Sequence, residues 1–117
     1  MPIEPPESWF EIPAPGPDDD DVVAVGGDLQ PGTILQGYRK GLFPMNLQDG
    51  HLAWWSPVER AVLPLDGLRI TRSLAQSTRR YRVTVDEDFD GVIEGCADPD
   101  REHGWITDEF VDAYTEL

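Results

Sequence analysis

The sequence predicts a small α+β fold, and three observations carry that expectation. Val22–Val25 is a short β-branched run bounded by aspartates and glycines, which reads as a buried strand. The stretch from Gly26 to Met45 holds a start, a body and a stop for one short helix. Beyond residue 80 an alternating segment is followed by two amphipathic stripes at helical spacing. With 117 residues the chain suffices for one small domain, or part of a larger one, with a modest buried fraction.

Residues 1–21 are dense in proline, which withholds backbone donors and fixes φ, so an extended arm is expected, docked by Trp9, Phe10 and Ile12. Asp18–Asp21 lack the alternate spacing and glycine of a calcium loop and read as a solvated charge run, with no metal. After the Val22–Val25 strand, Gly26-Gly27 permits a turn that side chains with a Cβ resist. Pro31 suits a first helical position, where its missing N–H costs nothing. Ile34, Leu35 and Tyr38 share a face, and by periodicity Tyr38 reads as core. Gly41 after Arg39-Lys40 is the expected left-handed terminator, and Leu42–Met45 leaves along a buried or ligand-facing path.

A polar loop, Asn46 to Gly50, leads to His51–Pro57. Trp54 and Trp55 are adjacent on an extended segment and point to opposite faces, so at most one is deep core if the sheet's other side is open. The remaining tryptophan could stack a base, although core packing is the favoured use. Ala61-Val62-Leu63 resumes an apolar run that Pro64 confines to a strand edge or end.

Arg69, Arg72, Arg79, Arg80 and Arg82 hold five of the chain's nine basic residues. Thr71 or Ser73 caps a helix from there to Arg80, and the arginines read equally as a solvated face or as a phosphate-contacting patch. Tyr81–Asp86 alternates apolar and polar residues and gives the clearest strand signal in the chain. Phe89, Val92, Ile93 and Cys96 form an amphipathic stripe on which Cys96 is a packed thiol rather than a nucleophile. Thr107 is placed to cap a last helix, whose stripe of Phe110, Val111, Tyr114 and Leu117 has nothing evident to bury against.

Nine basic against 23 acidic residues exclude broad electrostatic binding of nucleic acid, so any RNA contact must come from the local arginine cluster. Lone Cys96 precludes an internal disulfide. Isolated His51 and His103 do not have metal-ligand spacing. No window is apolar enough to span a membrane and no secretion signal opens the chain, so a cytoplasmic location is expected.

Several stretches, in order, carry a resemblance: Val25–Leu29 (VGGDL), Tyr38–Pro44 (YRKGLFP), Trp54–Pro57 with Arg60–Leu63, Arg72-Ser73, Tyr81–Thr84, Val92–Ala97 (VIEGCA) and Trp105–Thr107. The chain resembles the leucyl/phenylalanyl-tRNA protein transferase family over almost its whole length. The resemblance implies a small N-terminal α/β domain, here residues 1–63 with the Pro/Asp-rich lead-in. It is followed by the start of an acetyltransferase-like α/β domain, residues 64–117. It further implies a cytoplasmic aminoacyltransferase that uses no cofactor and no acetyl-CoA. Such an enzyme takes leucine or phenylalanine from aminoacyl-tRNA to protein N-termini bearing arginine or lysine, marks them for N-end-rule degradation, and is a monomer at full length.

By the same resemblance, Tyr38, Met45 and Trp105 occupy positions that hold the aminoacylated 3′ adenosine. Arg72, Arg79 and Arg80 match the basic cluster that meets the tRNA acceptor stem. Met45 stands where many relatives carry tryptophan, Gln76 where a basic residue is usual, and Val58-Glu59 where Asp-Pro is common. The Gly-Glu-Ser-Met-Phe and Asp-Cys-Gln segments credited with the chemistry have no counterpart here, so no catalytic residue is assigned. The expectation is the front portion of a longer enzyme, inactive and poorly folded by itself. The rival readings are a catalytically dead tRNA-binding module and a small acidic interaction protein.

Overall fold

The computed structural model describes residues 2–117. Its elements, in chain order, are strand β1 (Val22–Val25), helix α1 (Pro31–Arg39), strands β2 (Phe43–Asn46) and β3 (Leu52–Trp55), then helices α2 (Arg72–Thr78), α3 (Phe89–Cys96) and α4 (Asp108–Glu116). The three strands form one antiparallel sheet in the order β1-β3-β2. This is the small α+β architecture that the strand and helix signals predict.

Helix α1 begins and ends where its punctuation requires. Pro31 is its first residue, the amides of Thr33 and Ile34 return to the Gln30 carbonyl, and Lys40 closes the C-terminus onto Gln36 and Gly37. Gly41 follows with φ +79°, a backbone setting that costs glycine nothing. The helix lies so close to the sheet that a Cβ on Gly37 would come within 2.7 Å of the Trp54 ring.

β3 is the central strand, and its two tryptophans divide as alternation dictates. Trp54 is fully buried and donates its indole N–H to the Gly26 carbonyl at 3.0 Å, while Trp55 is half-buried and donates to the Met45 carbonyl at 2.8 Å. Leu42–Met45, expected only to leave along a buried or ligand-facing path, supplies most of strand β2, although Pro44 has no N–H to give a ladder. Its edge position explains the exception, since an edge strand can leave one donor unmade, and Pro44 is buried opposite Trp54. β1 is the opposite edge, half-buried rather than buried, with a register irregularity between Val22 and Ala24.

The core gathers Ile12, Leu29, Ile34, Leu42, Trp54, Phe110 and Ala113. Ile12 comes from the proline-rich arm, which forms no strand but is fastened to α1 by side chains. Gln36 accepts from the Ile12 amide at 2.6 Å and donates to the Phe10 carbonyl at 3.0 Å. Lys40 donates to the Ile12 carbonyl, and Arg39 grips Glu4 with two bonds at 2.7 and 3.0 Å. Asp28 accepts from Trp9, from the Gln30 amide and from Thr33. Burial alone would raise the Asp28 carboxyl, but these donors outweigh it and hold it below its ordinary value. Trp9 itself is exposed, so only Phe10 and Ile12 dock the arm by burial.

Three expectations are corrected. The apolar stripe of α4 does find a partner, because the helix folds back on the N-terminal elements and buries Phe110 and Ala113 in their core. Ala61–Leu63 forms no strand and is exposed, with no strand pairing to it among the described residues. Tyr81–Asp86, despite its alternation, is not a strand either, and Asp86 takes a positive φ of 56°. Periodicity selects which face a strand would present, but pairing needs a second strand, and among the described residues none pairs with it. The α3 stripe is likewise uncovered, with no buried residue and Cys96 half-buried.

Candidate functional site

A row of aromatic side chains joins residues far apart in sequence. It begins with Tyr38 near the C-terminal end of α1, where the helix brings the ring to the surface at 46% exposure rather than into the core. Its hydroxyl shares a 2.5 Å hydrogen bond with the hydroxyl of Tyr114 on α4. Tyr114 stacks on Phe110 with ring centres 6.5 Å apart and 21° between planes, and Phe110 meets Trp105 edge to face at 5.4 Å. Positions 110 and 114 are one helical turn apart, which is why α4 lines their rings along one side. Phe110 is wholly buried and anchors the row, whereas Trp105 is 39% exposed and keeps a face open.

The electrostatics of the row follow from its half-burial. Burial pushes the Tyr114 hydroxyl up, and its bond to Tyr38 pushes it further, so Tyr114 remains a neutral donor and acceptor well past neutral pH. Such a surface offers flat apolar rings beside two hydroxyls. Its chemistry is that of holding a ring and a neutral polar group by stacking and hydrogen bonding.

Of the residues singled out from sequence, Tyr38 and Trp105 are therefore brought to the two ends of one row. Met45 lies on β2, half-buried, pairing with Ala53 across the sheet. Tyr114 was missed as a site residue because its spacing with Phe110 marked it as core. Only the hydroxyl on an otherwise apolar stripe signalled a second use.

The arginines lie on and just after α2. Thr71 caps α2 by accepting from the Leu74 amide at 3.2 Å, Arg72 is the first helical residue, and Arg79 occupies the C-cap. Arg80 follows, its amide bonded to the Ser77 carbonyl. α2 buries no residue, and among the described residues Arg72, Arg79 and Arg80 make no ion pair, whereas Arg82 is engaged by Glu87 at 2.9 Å. Arg60 instead ties its own loop down, donating to the Pro57 carbonyl and the Ser56 hydroxyl. A cleft of about 590 Å³ beside α4 is acidic, lined by Asp28, Glu109, Asp112 and Glu116. Among the described residues no group of three or more His, Cys, Asp and Glu is arranged to hold a metal ion, and no helix is long and apolar enough to cross a membrane.

Comparison with known proteins gives the class first: both family models that match describe a transferase. The leucyl/phenylalanyl-tRNA protein transferase model matches residues 62–117, and the N-terminal domain model of the same family matches residues 27–58. Among curated relatives, the leucyl/phenylalanyl-tRNA protein transferase of Pseudomonas fluorescens is 47% identical over 105 residues, covering 86% of this chain and 46% of its own length. That of Pseudomonas putida is 49% identical over 105 residues, covering 86% and 46%. That of Anaeromyxobacter sp. strain K is 46% identical over 103 residues, covering 84% and 44%. The chain belongs to the leucyl/phenylalanyl-tRNA protein transferase family. It spans about half the length of the curated relatives it matches.

Proposed function

We propose that this chain carries the aminoacyl-adenosine-holding and tRNA-contacting part of an aminoacyltransferase. The enzyme moves leucine or phenylalanine from aminoacyl-tRNA to protein N-termini bearing arginine or lysine, in the cytoplasm and toward N-end-rule degradation. It is a monomer at full length, divided near residues 63 and 64 into an N-terminal domain and an acetyltransferase-like one. The observation that carries the reading is the row from Tyr38 through Tyr114 and Phe110 to Trp105, in a chain of this family.

In the reaction the acceptor α-amine attacks the ester carbonyl. A new amide forms, the bond to the ribose oxygen breaks, and the amine's proton is passed on as the ribose hydroxyl is released. An α-amine with a pKa near about 8 is already partly deprotonated at neutral pH, so orientation of the ester is the larger demand. Tyr38 and Trp105 supply it by holding the terminal adenosine, with Tyr114 fixing the Tyr38 hydroxyl. Met45 gives a soft sulfur contact to the base in place of a flat ring. Arg72, Arg79 and Arg80 meet acceptor-stem phosphates, and the net charge of −14 suits a cationic acceptor.

Titrating the chain with charged phenylalanyl-tRNA at several salt concentrations tests this. Each of Arg72→Gln, Arg79→Gln and Arg80→Gln should lower the salt slope by about one. Trp105→Ala should weaken binding of an aminoacyl-adenosine analogue about fivefold to a hundredfold, the loss of one stacking contact of roughly 1–3 kcal/mol. Salt slopes and analogue affinity unchanged in every variant would overturn the reading.

A further inference from the structure

The proline-rich arm backs α1 on the face that turns away from Tyr38. At about 100° per residue, Gly32, Gln36, Arg39 and the C-cap Lys40 share one face, and Tyr38 projects roughly 150° round the helix from it, toward Tyr114 on α4. The arm lies along that first face. Gln36 meets it as one rung of a ladder would, accepting from the Ile12 amide at 2.6 Å and donating to the Phe10 carbonyl at 3.0 Å, which needs a group that is donor and acceptor at once. Lys40 donates to the Ile12 carbonyl and to Glu11. At Gly32 the arm comes so close that a Cβ would strike the Pro6 carbonyl. Arg39 and Glu4 are both exposed, so their pair contributes little, and the tie rests on Gln36 and Lys40.

Those ties fall on the turn that carries Tyr38. Buried Ile12 would by itself anchor the arm, yet its polar grips close on the positions flanking Tyr38, while Gly37 stands against the Trp54 ring. A helix of nine residues is too short to hold its geometry by propensity, so packing on its two sides sets where the last turn sits. With the arm released, that turn can tilt into the vacated space and draw the Tyr38 hydroxyl away from Tyr114. We propose that Gln36 and Lys40 are positioning residues, acting through the arm as a brace that sets Tyr38 for the terminal adenosine of aminoacyl-tRNA. The inference rests on the reading of Tyr38 as a holder of that adenosine.

The test measures the dissociation constant of phenylalanine joined by an amide to 3′-amino-3′-deoxyadenosine, in two variants that release the arm by unrelated chemistry. Lys40→Met removes the donor to the Ile12 carbonyl, and Gly32→Ala sets a methyl group against Pro6. Each should weaken binding about threefold to tenfold, the worth of one misplaced hydrogen bond, and Lys40→Arg should recover most of the affinity. Alanine favours the helix, so Gly32→Ala carries the test if Lys40→Met fails to fold. In a Tyr38→Ala background neither change should weaken binding further, because both act through Tyr38, whereas a merely structural role would add its loss in either background. Affinity unchanged in both arm variants, or losses that add to that of Tyr38→Ala, would overturn the proposal. If Tyr38→Ala and Trp105→Ala also leave the affinity unchanged, the adenosine reading fails and this inference with it. If those two weaken binding and the arm variants do not, only the brace is lost.

Discussion

The unit built from residues 8–55 with α4 and the segment from Val58 to Trp105 obey the same chemistry with opposite results. In the first, every apolar element meets another: Ile12 from the arm, Trp54 from the central strand, Ile34 from α1 and Phe110 from α4 converge. In the second, Val58, Val62, Leu63, Leu65, Leu68 and Ile70 are exposed, and α2 and α3 bury nothing. The radius of gyration, 17.1 Å, records the openness, since a compact domain of about 100 residues has about 13 Å. Apolar content is similar in both. What differs is whether a second surface is within reach, so hydrophobicity stabilises only where topology supplies something to pack against.

That contrast can be broken most forcefully at the core. Trp54→Ala or Phe110→Ala should destabilise the packed unit by about 3–5 kcal/mol in denaturant melts, because each leaves a large cavity. Next comes Gly37→Ala, whose Cβ would crowd the Trp54 ring at 2.7 Å and should cost about 1–3 kcal/mol, with the melt again as readout. The helix propensity of alanine works the other way, so a stabilised variant would show that α1 can move off the sheet.

Acid should act on the same unit. The Asp28 carboxyl is held below its ordinary value of 3.8, so it contributes stability that is present above that value and lost as pH falls through the lower folded one. Melting temperatures taken downward from pH 5 should drop faster in the parent than in Asp28→Asn, which no longer carries the titrating group. Parallel curves would show that the network around Thr33 contributes nothing through charge. Thr71→Ala removes the cap of α2 and should lower its helicity by about 1 kcal/mol without moving the main transition. Least of all, Val62→Ser should stay within about 0.5 kcal/mol, as a surface change does. A large loss there would mean that the open segment is packed in solution.

Much of the packed unit was legible because its signals are local. Pro31 and Gly41 mark helix ends through backbone preferences that need no neighbour, and Trp54-Trp55 divides inside from outside by alternation alone. Leu42–Met45 was legible only as an apolar path away from the helix, because whether a strand tolerates Pro44 depends on its being central or at an edge, which sequence does not state. Tyr81–Asp86 misled in the reverse direction, having the pattern of a strand without the partner. The two ends of the aromatic row, Tyr38 and Trp105, were nameable only through family resemblance. Tyr114, which bonds to Tyr38 across 76 positions, was named only as part of the last apolar stripe, because nothing local distinguishes a hydroxyl that faces solvent from one that meets another hydroxyl.

Phe110 sits in the same cluster as Ile12, so the ribosome must have released nearly all of these residues before the cluster can close. Until then Trp54 and Ile34 have one side wet, and the connection that must be looped is long. Its entropic toll grows only with the logarithm of its length, but contacts so distant in sequence form slowly. A nascent chain stalled at residue 100 should therefore be digested by protease throughout, and release of α4 should protect the portion made first.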